Sequence, residues 1–524
     1  MATGDGAGIR VNKPDPTRDD EARQQSAYYQ VLIVGAGISG IGIGISLRKH
    51  GIKDFALLEA ASDLGGTWRD NTYPGVAVDI PSTSYCFSYE TGFAWSRTYA
   101  PGREVQNYIH HCANKYDIGR HILYGSRVRR AQFDPARNHW EVQLVNGEKL
   151  LARFLVAATG LFSSPMSPDI LGLDEFKGTV MHSALWKHDH DLAGHRVGVI
   201  GTGASAVQIV PEVAAQASAL TVFQRTPIYV APRFDFAHRP IEARFPKVVG
   251  RLRRLVSEFG IEALTSVAVN YARFPSITRV IQSLIQRWMR RQVNDEITAK
   301  NLIPTYDLGC KRPATSSRYL SSFNKENVKL EVNSIARITQ TGAVCSDGTL
   351  HDLDTIILAT GFQTTKKGNV PTFDVVGPDG QELSALWDDN RLGSYAGIAV
   401  SGFPNFFLTA GPYSGGFNWF TMLETHTKQI RACILEAQAQ GAKRIDVDPK
   451  YYDNYVHLMW KLSEGTVFKS GNCQAAHSYY IDQHGDASLP APRTPNWRAR
   501  YAKLKGASEF RFSATSDRDD WSGS

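Results

Sequence analysis

The chain of 524 residues has no close pair of cysteines. Cys86, Cys112, Cys310, Cys345, Cys433 and Cys473 stand singly, with no C-x-x-C or C-x-x-x-x-C spacing. This excludes a local redox dithiol and the grouped ligands of an iron–sulfur or zinc site, so no metal is expected. Scattered thiols fit a reducing cytosol better than a disulfide framework, which makes the expected location cytoplasmic. Long hydrophobic runs are missing too. VLIVGAGISGIGIGISL has 17 residues, short of the roughly 20 that cross a bilayer, and glycines interrupt it. Its Gly40 and Gly44 match the G-x-x-x-G pairing pattern of membrane helices, but a turn motif accounts for the glycines better. Residues 1–26 contain no apolar stretch of a secretory signal and read as a loose polar arm. No basic tract with interleaved aromatics occurs, and a net charge of +7 is modest for this length. That balance suits anionic cofactors and gives no case for a nucleic-acid partner.

What is present begins with a β-branched strand over residues 30–34, followed by Gly35, Gly37 and Gly40 and a helix that Gly51 stops. In a strand–G-x-G-x-x-G–helix unit the first glycine makes the turn and the second admits a pyrophosphate. The third lets the helix pack on the strand, with its positive end, including Ser39, toward the phosphates. The next strand, FALLEA, carries Glu59, 19 residues past Gly40, where a carboxylate accepts from ribose hydroxyls. A second unit follows with Gly201, Thr202, Gly203, Ala204, Ser205 and Ala206. Here the acid's position holds Arg225, followed by Thr226. A carboxylate would repel a 2′-phosphate, whereas a guanidinium binds it bidentately. The two units therefore read as FAD first and NADPH second. FLVAATG (154–160) and TIILATG (355–361) are apolar strands that return beneath each unit, each ending in a glycine that allows close backbone approach.

NADPH can reduce a flavin, which must then pass on two electrons. With no close cysteine pair and no cluster ligands, dioxygen is the leading acceptor, ahead of a quinone or a second protein. His188 and His190 in WKHDHD read as a solvated turn.

These residues resemble the flavin-dependent Baeyer–Villiger monooxygenases, relatives of the flavin-containing and N-hydroxylating monooxygenases. GGTWRDNTYPGVAVD matches one fingerprint through Gly66, Trp68, Tyr73, Pro74, Gly75 and Asp79. FKGTVMHSALWKH matches a second through Phe176, Gly178, His182 and Trp186. It departs at Lys187, where Baeyer–Villiger members carry proline or aspartate and the flavin-containing relatives a basic residue. The resemblance implies an α/β fold of two Rossmann-like domains, for FAD and NADPH, with a helical insertion in the NADPH domain. It implies Arg312 and Asp79 as the catalytic pair, Lys311 joining Arg225 and Thr226 at the 2′-phosphate, and Thr67, Trp68, Asp79 and Tyr85 beside the flavin. His182 and Trp186 would tune the linker between the domains. The implied reaction inserts one oxygen atom of O2 next to a ketone carbonyl through a C4a-peroxyflavin, giving an ester or lactone. Oxygenation of sulfur or nitrogen is the alternative that Lys187 keeps open. A nucleotide-binding scaffold without chemistry is a third reading, against which Asp79, Lys311 and Arg312 speak. After Arg312, ATSSRYLSSFNKENV lacks the Asp-and-two-Tyr run of several cyclic-ketone oxidisers.

The expected organisation is an FAD domain in two parts, 27–165 and 385–505, enclosing NADPH-domain parts 166–234 and 306–384. Residues 235–305 read as amphipathic helices capping the cofactor lobe, and their arginine-rich RLRRL and RWMRR leave a membrane-surface helix as the second reading. Trp419 and Phe420 are candidate pocket walls, and 506–524 reads as a polar tail. Expected partners are a small ketone or sulfide and O2, with no integral membrane association and a monomer or weak oligomer.

Overall fold

The computed structural model describes residues 27–238, 246–364, 370–414, 418–488 and 508–514. The expected arm over 1–26 lies outside them. Strand β1 (Tyr28–Val34) leads into helix α1 (Ile38–Lys49), which returns to β2 (Phe55–Leu58). Every residue of α1 from Ile38 to Leu47 is buried, because glycine and isoleucine alternate through it and leave no polar face to turn to water. The short α2 (Thr67–Asp70) and α3 (Gly102–Lys115) follow, then β3 (Ile122–Leu123), β4 (Val128–Asp134), β5 (His139–Leu144) and β6 (Lys149–Ala157). In the first sheet β1 lies between β2 and β6, parallel to both, while β4, β5 and β6 form an antiparallel meander.

The second sheet is parallel throughout. Its order is Val328–Glu331, β9 (Ala219–Phe223), β8 (Arg196–Ile200), Thr355–Leu358 and β7 (Thr179–His182). Helix α4 (Ala204–Val213) connects β8 to β9. The inner strands Ala219–Phe223, Arg196–Ile200 and Thr355–Leu358 are largely buried, and their continuous apolar runs are the sequence sign of a covered sheet. Beyond β9 come the long helices α5 (Pro246–Val269) and α6 (Pro275–Arg290). Among the described residues no helix is long and apolar enough to cross a membrane.

Four expectations need correction. The second fingerprint is not only a linker, since Thr179–His182 is the edge strand of the second sheet, paired with Thr355–Leu358. The chain returns to the first sheet before residue 385, because Asp374–Val376 already pairs with β4. The tail is not all loose: Phe510–Ser513 pairs antiparallel with Arg444–Val447, and Phe510 supplies the buried ring that anchors it. Finally, Cys310 and Cys473 form a disulfide across 163 residues. Sequence spacing reports only local pairs, and tertiary folding brings these two together. The other four thiols are free and buried.

Asp446 lies on Arg444–Val447, and burial pushes its carboxyl up to about 7, against the pull of Arg444. The native state thus keeps a proton that the unfolded chain releases near pH 4. Stability from this group is full below the ordinary carboxyl range and is lost as pH rises through about 7. Asp446→Asn is therefore expected to melt higher than the parent at pH 8 and to lose part of the pH dependence in thermal denaturation.

Candidate active site

The two glycine turns are built alike. At Gly35, which has φ +107°, a Cβ would lie 2.7 Å from the Ala158 carbonyl oxygen. At Gly201, with φ +115°, it would lie 2.4 Å from that of Ala359. Each apolar strand ending in Ala-Thr-Gly thus runs directly under a turn, and it is the turn glycine, not the terminal one, that the close approach requires. At Gly40 a Cβ would meet the Gly35 oxygen at 1.9 Å, whereas the second unit accommodates the buried Ala206. Helices α1 and α4 start at Gly37 and Gly203 with no side chain capping either first turn. Their amide hydrogens are left for a ligand, and α4 opens at exposed Gly203 and Ala204.

Glu59 is buried at the end of β2 and accepts from the Ala36 amide at 2.9 Å, the Ala61 amide at 3.0 Å and Arg69 Nη1 at 2.8 Å. A carboxylate has about four acceptor sites, so capacity remains for a ribose hydroxyl. Ser39 Oγ accepts from Trp419 Nε1 at 3.2 Å, which brings Trp419 to the first turn. Phe420 is core instead, packed edge-on to Tyr85 and Phe87. The first fingerprint wraps this cradle. Gly66 packs on Gly37, Thr67 is exposed at the start of α2, and Trp68 Nε1 donates to Tyr85 Oη at 3.1 Å. These residues fit a dinucleotide with an unphosphorylated ribose.

The same fingerprint loop is fastened to the second lobe. Tyr73 Oη donates to Gln208 Oε1 at 3.0 Å, and Gln208 Nε2 donates to the Ala77 oxygen at 3.0 Å. Burial lifts the Tyr73 phenol to about 12, with Ser205 of the second turn bonded to it. Between these contacts Gly75 sits at φ +83°, where a Cβ would stand 2.7 Å from the Gln208 carbonyl oxygen.

Arg312 closes the arrangement. Its Nε donates to Asp79 Oδ2 at 2.6 Å and its Nη2 to Asp79 Oδ1 at 2.8 Å. Burial opposes the charge on Arg312, but Asp79, together with Tyr480 and Tyr479, outweighs it and holds the guanidinium above its usual value. On the adjoining side burial, with Arg225 second, pushes Lys311 down to about 8. His477 is likewise lowered by burial and then by Arg225 and Lys311. No ion pair with an acid engages Arg225 or Lys311 among the described residues. Thr202 Oγ1 donates to the Thr226 carbonyl at 2.6 Å, which ties the second turn to this cationic group. A cluster of like charges without a counterion fits a phosphate. Sequence reasoning missed His477, Tyr479 and Tyr480. The two tyrosines lie close enough to Arg312 to act on its charge, and the Cys310–Cys473 disulfide holds their segment to the Lys311–Arg312 loop.

His182 is fixed at the end of β7. Its Nδ1 accepts from the Ala184 amide at 3.1 Å, so Nε2 carries the hydrogen donated to the Gly361 oxygen at 3.1 Å. Burial lowers its pKa, which keeps the ring neutral. Trp186 packs half-buried against the second-lobe core. Lys187 is exposed and its charge is felt by His190. His188 lies in an exposed turn, as expected, and bonds Thr72 Oγ1 at 2.8 Å, whereas His190 is partly buried and bonds Thr355 Oγ1 at 2.8 Å. Two trios of potential metal ligands also converge where spacing showed none, Glu331–Cys345–His351 and Asp134–His139–Glu141. In the first, His351 is already hydrogen-bonded to Glu331.

Gly75→Ala is expected to cost about 1–3 kcal/mol by forcing a side chain into positive φ against α4. Chemical denaturation followed through tryptophan fluorescence checks it; an unchanged midpoint would show that the two lobes do not need this contact.

Residues 32–270 match a family model described as pyridine nucleotide-disulphide oxidoreductase. A Baeyer–Villiger monooxygenase of Streptomyces coelicolor is 36% identical over 482 residues, covering 90% of this chain and 91% of that protein. One from Pseudomonas aeruginosa is 32% identical, over 87% of this chain and 85% of its own. The structure of an oxidised steroid monooxygenase bound to NADP matches with a TM-score of 0.84 at 29% identity, over 93% of this chain and 100% of that one. Similarity of this extent, running through both glycine turns and the loop that joins them, shows that the chain belongs to the flavin-dependent Baeyer–Villiger monooxygenases.

Proposed function

We propose that this chain holds FAD at the first turn and NADPH at the second, and uses them to insert one oxygen atom of O2 beside a ketone carbonyl, giving an ester or lactone. Reduced FAD, when bound, supplies the activation of oxygen. The chain's own part is binding, orientation and fixed charge. Gly35, Gly37, Ser39 and Gly40 offer the helix end to the FAD pyrophosphate, and Glu59 offers its carboxylate to the ribose. Gly201, Thr202, Gly203, Ala204 and Ser205 offer the second helix end to NADPH, with Arg225, Thr226 and Lys311 at the 2′-phosphate. Thr67, Trp68 and Tyr85 line the flavin side, and His182 and Trp186 fix the edge strand of the second sheet and the segment that follows it.

The observation that carries the reading is the two-point Asp79–Arg312 pair. As the carbonyl is attacked, negative charge develops on oxygen, and a cation held in place by two hydrogen bonds stabilises it without reorganising at that moment. A lysine could not make the same two-point contact, because its ammonium is a single point of charge. Incubation with NADPH, 18O2 and a panel of ketones and sulfides tests the proposal by mass spectrometry. Ester bearing one heavy oxygen is expected; sulfoxide as the sole product would transfer the enzyme to heteroatom chemistry.

Arg312→Ala is expected to slow ester formation by about a hundred- to a thousandfold while keeping the bound-flavin spectrum. Ester formation at the parent rate would remove Arg312 from its role. With Lys311 lowered to about 8 in the free protein, a bound phosphate dianion favours its charged form. NADPH binding then takes up protons above about pH 8, so KM for NADPH should rise with pH there while KM for NADH stays flat. Lys311→Met should flatten the NADPH profile.

A further inference from the structure

Helix α5 is laid into the protein the wrong way round for a helix facing water. Val248, Leu252, Leu255, Val256 and Phe259 recur at three- and four-residue spacing and form one stripe. All five point outward, between 63% and 78% exposed. The opposite face carries charge and is docked inward. Arg254 is buried, donating to the Cys86 carbonyl and pairing with Glu258 at 2.8 Å. Glu258 in turn accepts from Thr421 Oγ1 at 3.0 Å. At Gly250 a Cβ would strike the Thr91 carbonyl oxygen at 2.3 Å. These contacts with the first lobe fix the rotation of α5, so its apolar stripe cannot be turned inward without breaking them.

Helix α6 repeats the arrangement. Gln286 Nε2 donates to the Pro304 carbonyl at 3.0 Å, and Thr278 and Met289 are buried. Ile277, Val280 and Leu284 are 49% to 60% exposed. Arg273, Arg279, Arg287, Arg290 and Arg291 are exposed beside them, in no ion pair among the described residues. Counted on the sequence, residues 246–291 hold nine Lys and Arg against two Glu, a net charge of +7. The whole chain also carries +7, so every other residue together sums to zero.

We infer that α5 and α6 form a peripheral docking face for an anionic lipid surface. An outward apolar stripe beside a concentrated net positive charge is the chemistry of helices that lie in the headgroup layer and insert side chains about 5–10 Å deep. The charge decides between occupants. A second copy of this chain, pairing the same face on itself, would bring together two surfaces of like sign, whereas an anionic bilayer complements both the charge and the apolar stripe. Neither helix is a membrane span, and nothing in this inference depends on the oxygenation chemistry.

Flotation of the full-length, FAD-loaded protein with lipid vesicles tests it. Vesicles of phosphatidylcholine with about one-third phosphatidylglycerol should carry at least about tenfold more protein than phosphatidylcholine alone. That preference should vanish near 1 M salt, where the screening length is about 3 Å. The triple variant Leu252→Ser, Leu255→Ser, Phe259→Ser removes only exposed side chains, so its flavin spectrum and turnover of soluble ketone should persist while flotation is lost. Arg287→Ser, Arg290→Ser, Arg291→Ser should erode the preference for anionic vesicles. Equal binding to both vesicle types, no binding to either, or parental flotation of the serine variant overturns the inference. So does a dimer in light scattering that the serine variant converts to monomer, since a second copy would then be the occupant.

Discussion

Asp79 and Arg312 meet across 233 residues of sequence, and the site exists only because they do. Asp79 ends the loop that wraps the first glycine turn, while Arg312 comes from the stretch leading into the second lobe's last strands. A half-buried guanidinium needs a partner, since an unpaired charge away from water is costly. The carboxylate meets that need with two hydrogen bonds and so fixes where the cation points. Each lobe therefore contributes one half of a group that neither lobe could orient alone. The Tyr73–Gln208–Ala77 contacts and the close approach at Gly75 serve the same end, since they hold the loop carrying Asp79 against α4.

Around that junction the protein uses one structural solution twice and changes only its charge. Gly35 rests on Ala158 as Gly201 rests on Ala359, so both nucleotide turns have the same backbone and the same strand beneath. What differs is the strand end, where buried Glu59 answers to exposed Arg225. Lys311 and His477 then gather at Arg225, and burial first, with the Arg225 charge second, lowers both. The proposed binding of a 2′-phosphate here rests on this gathering of positive charge, which an anion would relieve.

The helical pair lies outside this logic. Its sequence shows amphipathic periodicity, and the bland expectation is that the apolar stripe caps the cofactor lobe. The structure puts the stripe of α5 outside, held there by Arg254 and Glu258. Periodicity establishes that a helix has two unlike faces. Which face turns inward depends on the polar partners that the rest of the fold presents, here the Cys86 carbonyl, Thr421 and Glu424.

The sequence by itself determined the two glycine-turn units and the contrast between Glu59 and Arg225 at the ends of their second strands. Each such signal lies within a strand–turn–helix–strand segment, where spacing along the chain is also spacing in space. The partnership of Asp79 with Arg312 was legible only through family resemblance. Tertiary structure alone decided the rest: the Cys310–Cys473 link, the arrival of His477, Tyr479 and Tyr480 beside the Lys311–Arg312 loop, the early return of Asp374–Val376 to the first sheet, and the outward face of α5. These features join residues separated by long loops, and local propensity carries no information about which distant segments will pack together.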